Sequence, residues 1–320
     1  MNKFIIDAND TVIWNRDDLI KFLVVNQDRW IVLEVREGPC LENLGLYKIL
    51  DHFSFKDVTI STHNAVEESP TDKYRIRIVT DAVYQYVTFP ADSDYTPLHH
   101  WNGKHVFGAL YNRATWSRIG LAGHLNKHHK DKTSLNFRYD PHNEDMRTTF
   151  EIEPIFKMHP QSFKDFMERL DDFPALLEET STYRIGQGTK TFTDQLGQYY
   201  PDFLIDVVSE TFTLGRTFSP TEKAIRPMLL KKPFIMMASQ NFLIYLRQMG
   251  FETFHEFWPE DYDGLNPKEK YIAILNLIHS LSKKSVNELQ DMYQRMQPIL
   301  DHNYELLKSG KFNKQVTYVE

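Results

Sequence analysis

Between Phe203 and Gly264 the chain runs apolar, polar, amphipathic, apolar and amphipathic again, and few folds accommodate that order. Phe203–Val208 reads as a β-strand that runs out at Glu210, and Phe234–Ala238 reads as a second strand. A loop and a helix opening near Ser219 lie between them, and another helix follows. Two short strands joined by a helical crossover form a βαβ unit, whose strands pair in parallel. Ligands of parallel sheets bind beyond the carboxyl ends of the strands. Glu210 stands just past one such end, and Ser219, Thr221, Glu222, Lys223 and Arg226 open the next helix. Polar and cationic groups at a helix start after a parallel strand point to a phosphorylated ligand.

The same alternation occurs upstream, and 320 residues leave room for two units of this kind. An apolar run at Phe4–Ile6, a helix over Asp17–Asn26 and a strand at Trp30–Val35 come first. That strand ends in Arg36, Glu37 and Gly38; a helix over Leu41–Phe53 and a β-branched strand at Asp57–Thr62, closing on His63, follow. Tyr74–Val79 and Ala82–Phe89 are strand-like, and the Pro- and Asp-broken segment Asp92–Gly103 reads as a linker. A strand at His105–Tyr111, a turn at Asn112–Arg113–Ala114 and a helix from an N-cap at Thr115 to Lys127 then restart the pattern. Further expectations are a strand at Leu135–Tyr139 and helices at Gln161–Leu170, Lys268–Leu281 and Val286–Leu307, the last containing Pro298. Residues 311–320 read as a loose tail.

A net charge of −7 argues against a chain that binds nucleic acid over its whole surface, though a local basic patch is compatible with it. The single cysteine, Cys40, excludes an internal disulfide framework and a cysteine metal cluster. The N-terminal residues lack a secretory h-region, and no apolar run reaches the length of a membrane span, so a cytoplasmic protein without membrane contact is expected.

Several motifs carry two readings. Ser219-Pro220-Thr221-Glu222 is a capping box by spacing, with Glu222 and Arg226 four apart as a surface ion pair. The same helix start could instead offer amides and a positive dipole to an anion, with Lys223 and Arg226 beside it. His124 and His128 lie four apart beside His129, which suggests a metal site; the neighbouring Lys127, Lys130 and Lys132 favour a solvated basic helix end, and no metal is expected. That basic run also suits nucleic-acid phosphates. Asp261 and Asp263 are spaced as paired carboxylates or as a loop that ends a domain. Met236 and Met237 read as core.

The stretch TFSPTEKAIRPMLLKKPFIMMAS followed by LRQMGFETFHEFWPEDYD resembles the C-terminal signature of glycosyltransferase-like proteins of tailed phages and large viruses. Its centre, an acidic residue after a strand and then a Thr-Glu-Lys helix start, is similar to the donor motif of the α-1,3-fucosyltransferase family. The segments EGPCLENLGLYKILDHFSFKDVTISTHN and FGALYNRATWSRIGLAGHL resemble other parts of the phage proteins. The resemblance implies two Rossmann-like α/β domains facing across a cleft, the GT-B arrangement, with a C-terminal helix. Residues 1–102 would form the acceptor side, 103–284 the nucleotide-sugar side, and 285–320 the helix and tail.

It further implies that Glu210 and Glu222 approach the ribose or sugar of a UDP- or GDP-linked donor, with Thr221 and Arg226 in the same helix start. Lys223 would meet the diphosphate, Arg113 would meet it from the other side, and Arg118 is a second candidate. Positive side chains can neutralise the departing diphosphate without a metal. Glu37 and His63, at strand ends of the first half, are candidate bases for the acceptor hydroxyl; each also reads as an ordinary turn residue. Thr211 stands where the fucosyltransferases carry Asn, so fucose is not carried over as the sugar. A viral enzyme would work in the host cytoplasm on a hydroxylated DNA base or on a glycan or protein. The rival expectation is a non-catalytic α/β binding or structural protein.

Overall fold

The structure, a computed structural model, describes residues 2–7, 14–36, 38–79, 100–112, 114–139, 157–177 and 197–319. Two four-stranded sheets organise it, and every strand pairing within them is parallel. The chain is therefore a mixed α/β protein, as the sequence pattern predicts.

The first sheet places β1 (Asn2–Ile6), β2 (Trp30–Val35), β3 (Asp57–Thr62) and β4 (Tyr74–Ile78) side by side in chain order. Alternate residues of β2 and β3 are buried, so one face carries the core, as the two-residue side-chain period of a strand requires. Ile31, Leu33, Val35, Val58 and Ile60 meet Leu19 and Leu23 of α1 (Arg16–Val25) and Leu46 and Leu50 of α2 (Leu46–Leu50) there. Helix α2 is shorter than the Leu41–Phe53 expectation. The chain turns over residues 41–45 first, and Gly45, at φ 69°, takes a left-handed conformation that admits the helix only afterwards.

The second sheet comprises β5 (His105–Tyr111), β6 (Thr133–Phe137), β7 (Phe203–Ser209) and β8 (Phe234–Met237), ordered β6-β5-β7-β8. Strands β7 and β8 are buried along their whole length and β5 almost so, which explains their unbroken apolar runs. From β5 the chain steps to one side to form β6 and returns on the other side as β7. The winding direction reverses between β5 and β7, and such a reversal opens a crevice at the carboxyl ends of the two strands. Strand β6 begins two residues before the Leu135–Tyr139 expectation because a single 3-10 turn, Lys130–Lys132, is enough to reverse the chain.

Helices α3 (Trp116–His128), α4 (Pro160–Met167), α5 (Glu222–Leu229), α6 (Phe242–Gln248), α7 (Pro267–Ser282) and α8 (Val286–Ser309) pack around the second sheet. Helix α8 starts in a capping box formed by Ser285 and Glu288, ends at Gly310 (φ 65°), and packs on α5. None of the described helices is long and apolar enough to cross a membrane. The two sheets have separate apolar cores, yet Val66, which follows β3, belongs to the second.

The expectation of a loose tail is corrected by the structure. Asn313 N donates to Met249 O, Thr317 and Gln248 exchange two hydrogen bonds, and the Asn241 side chain donates to Val319 O. Val316, Tyr318 and Val319 pack against the second core, and the apolar surface they cover holds this segment down. The expected strand Ala82–Phe89 and most of the expected linker Asp92–Gly103 lie outside the described residues.

Candidate functional site

Strand β7 delivers Ser209 and Glu210 to the crevice, and Glu210 N extends the ladder by donating to Met237 O. The Glu210 carboxylate is 2% exposed and collects four hydrogen bonds. Oε1 accepts from Thr221 N and Ala224 N, each at 3.1 Å. Oε2 accepts from Thr221 Oγ1 at 2.6 Å and Thr211 N at 3.1 Å. One buried carboxylate thus closes the loop 211–221 and covers the amide end of α5, a place that favours an anion.

This geometry corrects the expected capping box. Thr221, not Ser219, is the N-cap; its Oγ1 accepts from Lys223 N at 3.3 Å, and the helix begins at Glu222. Glu210 and Thr221 thus already accept from the amides of Thr221, Lys223 and Ala224, part of the seat that the sequence reading offered to a ligand. Lys223 Nζ lies 2.6 Å from Glu222 Oε1 and also donates to Thr211 Oγ1 and Thr221 Oγ1.

Burial alone would raise the Glu222 carboxyl, but the adjacent Lys223 ammonium outweighs it and holds the group down to about 2. The folded value lies below the ordinary 4.5, so ionised Glu222 stabilises the fold above pH 4.5. That contribution is lost as pH falls from 4.5 towards about 2. In urea titrations across this window, Glu222→Gln is expected to lose stability less steeply with falling pH than the wild type. Identical slopes would mean that the pair contributes nothing.

Arg226 does not pair with Glu222 on the helix surface as its spacing suggested. It is 3% exposed and turns beneath the helix, where its Nη2 lies 3.5 Å from Asp206 Oδ2 and its Nε donates to the Tyr200 hydroxyl. Arg118 is also buried, and its guanidinium donates to the Ser209 carbonyl at 3.0 and 3.3 Å. Together with the Ser117–Ser209 hydroxyl pair at 2.9 Å and Trp116 Nε1 donating to Thr213 Oγ1, it fastens the start of α3 to the end of β7. Arg118 therefore shapes the crevice. Arg113 and Glu37 lie outside the described residues.

The loop 211–221 also meets the strand-end loops of the first sheet, and Asn64 is the hub of that seam. Its Oδ1 accepts from Phe218 N at 2.8 Å, and its Nδ2 donates to Arg216 O at 2.9 Å and Glu67 Oε2 at 2.9 Å. Ala65 N donates to Phe218 O, and Thr217 Oγ1 donates to Gly38 O. The approach is so close that a Cβ on Gly38 would lie 2.2 Å from the Ser219 Cβ, which excludes any other residue there without movement. Arg216 pairs with Glu68 at 3.4 Å, and its guanidinium lies 4.3 Å from the Tyr318 ring centroid in the C-terminal segment.

His63 stands next to this hub and is half-buried. Burial lowers its pKa while the Glu34 carboxylate pulls the other way, so the imidazole is neutral at neutral pH and has a lone pair to accept a proton. Glu67, buried, accepts from the Tyr47 hydroxyl at 2.9 Å and Leu41 N at 3.3 Å, and burial raises its carboxyl above the usual range. The structure thus gathers Glu210, Thr221, Glu222 and Lys223, fixes them to Arg118 through Ser209, and sets His63 on the first sheet's side of the seam.

Asn64, Glu67, Asp206 and Tyr200 escaped the sequence reading. Asp206 did leave a signal, since a carboxylate inside the apolar run of β7 demands a buried partner. Asp263 takes the loop role: its Oδ2 accepts from Leu243 N and Ile244 N at the start of α6. The expected solvated end of α3 is corrected at two positions. His129 is 8% exposed and the His124 side chain 16%; burial, reinforced by neighbouring imidazoles, pushes them down to about 4 and about 3 respectively. Neither the models of known protein families nor the curated proteins give a match to this chain.

Proposed function

We propose that this chain is a glycosyltransferase of the GT-B type, in which residues 1–102 carry the acceptor side and residues 103–284 hold a UDP- or GDP-linked sugar. The observation behind this reading is the place of Glu210, Thr221, Glu222 and Lys223, at the carboxyl end of β7 beside the winding reversal and against the strand ends of the first sheet. Ligands of parallel sheets collect at such reversals. Lys223 neutralises the diphosphate as the sugar–phosphate bond breaks, and Glu222, which now pairs with it, turns to the donor. The acceptor oxygen forms the new bond to the anomeric carbon, and its proton passes to neutral His63. The resemblance to phage and large-virus proteins makes a hydroxylated DNA base or a glycan the acceptor, and the host cytoplasm the place of action.

One observation favours the rival reading of a non-catalytic α/β binding or structural protein: the site residues already satisfy one another. The Glu210 carboxylate, the amides of Thr221, Lys223 and Ala224, and the Lys223 ammonium all have protein partners. A thermal-shift panel of UDP-, GDP-, dTDP- and CMP-sugars separates the two. A true donor at 100 times its Kd stabilises the fold by about 2.7 kcal/mol, and Lys223→Ala is expected to abolish that gain. A full shift in Lys223→Ala refutes the site, and no shift with any donor favours the rival.

A further inference from the structure

At the far end of α3 from Arg118, two imidazoles and a carboxylate converge. His124 and His128 lie one helical turn apart on α3, and Asp165 reaches them from α4; one donor atom of each lies within 4.8 Å of the others. Asp165 is fully buried, and its two oxygens divide their work. Oδ1 accepts from Lys127 Nζ at 3.0 Å and Gln161 Nε2 at 2.9 Å. Oδ2 faces the imidazoles, 2.9 Å from His128 Nε2 and 4.0 Å from His124 Nδ1. The other ring nitrogen of His124, Nε2, is buried without a hydrogen-bond partner.

From this geometry we infer a divalent transition-metal site, suited to zinc, with His124, His128 and Asp165 as its ligands. Two imidazoles and one carboxylate are a borderline donor set that selects zinc over magnesium or calcium, which require oxygen. A tetrahedral zinc with bonds of about 2.0–2.2 Å sets its donors about 3.4 Å apart. The present separations, 2.9 Å for His128–Asp165 and up to 4.8 Å within the cluster, reach that geometry with side-chain shifts of about 1–1.5 Å, and the His128 side chain, 42% exposed, has room for them. Of the cationic neighbours, Lys127 is matched by Glu168 as well as Asp165, and Lys130 and Arg169 by Asp172. A hollow of about 870 Å³ adjoins the cluster and gives the ion a way in; His124, His128, His159 and His279 line it together with the cations Lys130 and Lys132. The fourth coordination position goes to water or a small anion.

The ion would staple α3 to α4, independently of the sugar-transfer reading. Untagged protein dialysed against micromolar zinc chloride is expected to take up one ion per chain and to rise in melting temperature. Cobalt substitution is expected to give the visible absorption of a four-coordinate ion. His128→Gln, at an exposed position that folding tolerates, is expected to bind zinc at least about 10-fold more weakly. Retention of zinc under excess magnesium supports the site as well. No uptake, uptake unchanged in His128→Gln, or displacement by magnesium overturns it and leaves the cluster as a hydrogen-bonded His–Asp joint.

Discussion

Arg226→Ala is expected to remove about 3–5 kcal/mol of folding stability, the cost of leaving a buried charge without its partner. Asp206 is wholly buried in β7, and its Oδ2 faces both Arg226 and the Tyr200 hydroxyl. Burial raises the Asp206 carboxyl, and the Arg226 guanidinium and the Tyr200 hydroxyl pull it back. Urea denaturation of the single variant measures the loss. The triple replacement Arg226→Met, Asp206→Leu, Tyr200→Phe is expected to recover most of it, because an apolar trio of similar volume has no charge to desolvate. If that repacked protein still responds to a nucleotide-sugar, Arg226 is structural. A repacked protein of full stability that has lost the response returns Arg226 to the donor site.

Glu210→Ala is expected to be almost as costly, about 3–5 kcal/mol, since three backbone amides and a hydroxyl lose their acceptor at once. The damage should be local before it is global. Amide hydrogen exchange at Thr221 and Ala224 is expected to accelerate by more than the global loss predicts, because the loop and the first turn of α5 come apart together. Thr221→Val, which removes only the capping hydroxyl, should cost about 1 kcal/mol. Unchanged stability and exchange in Glu210→Ala, together with a lost donor response, would show a carboxylate that acts on the ligand and not on the helix.

The strands were legible because burial on one or both faces writes itself into composition: β2, β3 and β5 fall where alternation or an unbroken apolar run places them. Sheet order was not legible, since nothing in a strand's own residues states which neighbour it will pair with. The side of β5 on which β7 lands decides where the crevice opens, and only the packed structure supplies it. At the site, residue types and neighbourhood were readable, but partners were not. Glu222 and Arg226 have the spacing of a surface pair, yet Asp206 wins Arg226 because a buried counter-charge outweighs a solvated one. Ser219 has the spacing of a cap and loses to Thr221, which Glu210, a carboxylate that folding brings back to the helix start, holds in place. Asn64 joins segments some 150 positions apart, beyond the reach of local pattern.

The stacking of Tyr318 on Arg216 also has a consequence for how the protein is made. On the ribosome Arg216 emerges on the order of 100 residues before the ring that will cover it, a wait of about 5–20 s at ordinary rates of translation. Throughout that interval the nascent chain can pair its strands and seat α5, but the guanidinium is without its aromatic cover. Completion of this corner therefore waits on synthesis of the segment that carries Tyr318, and nascent chains stalled before residue 313 should be cleaved more readily near residue 216 than chains that include that segment.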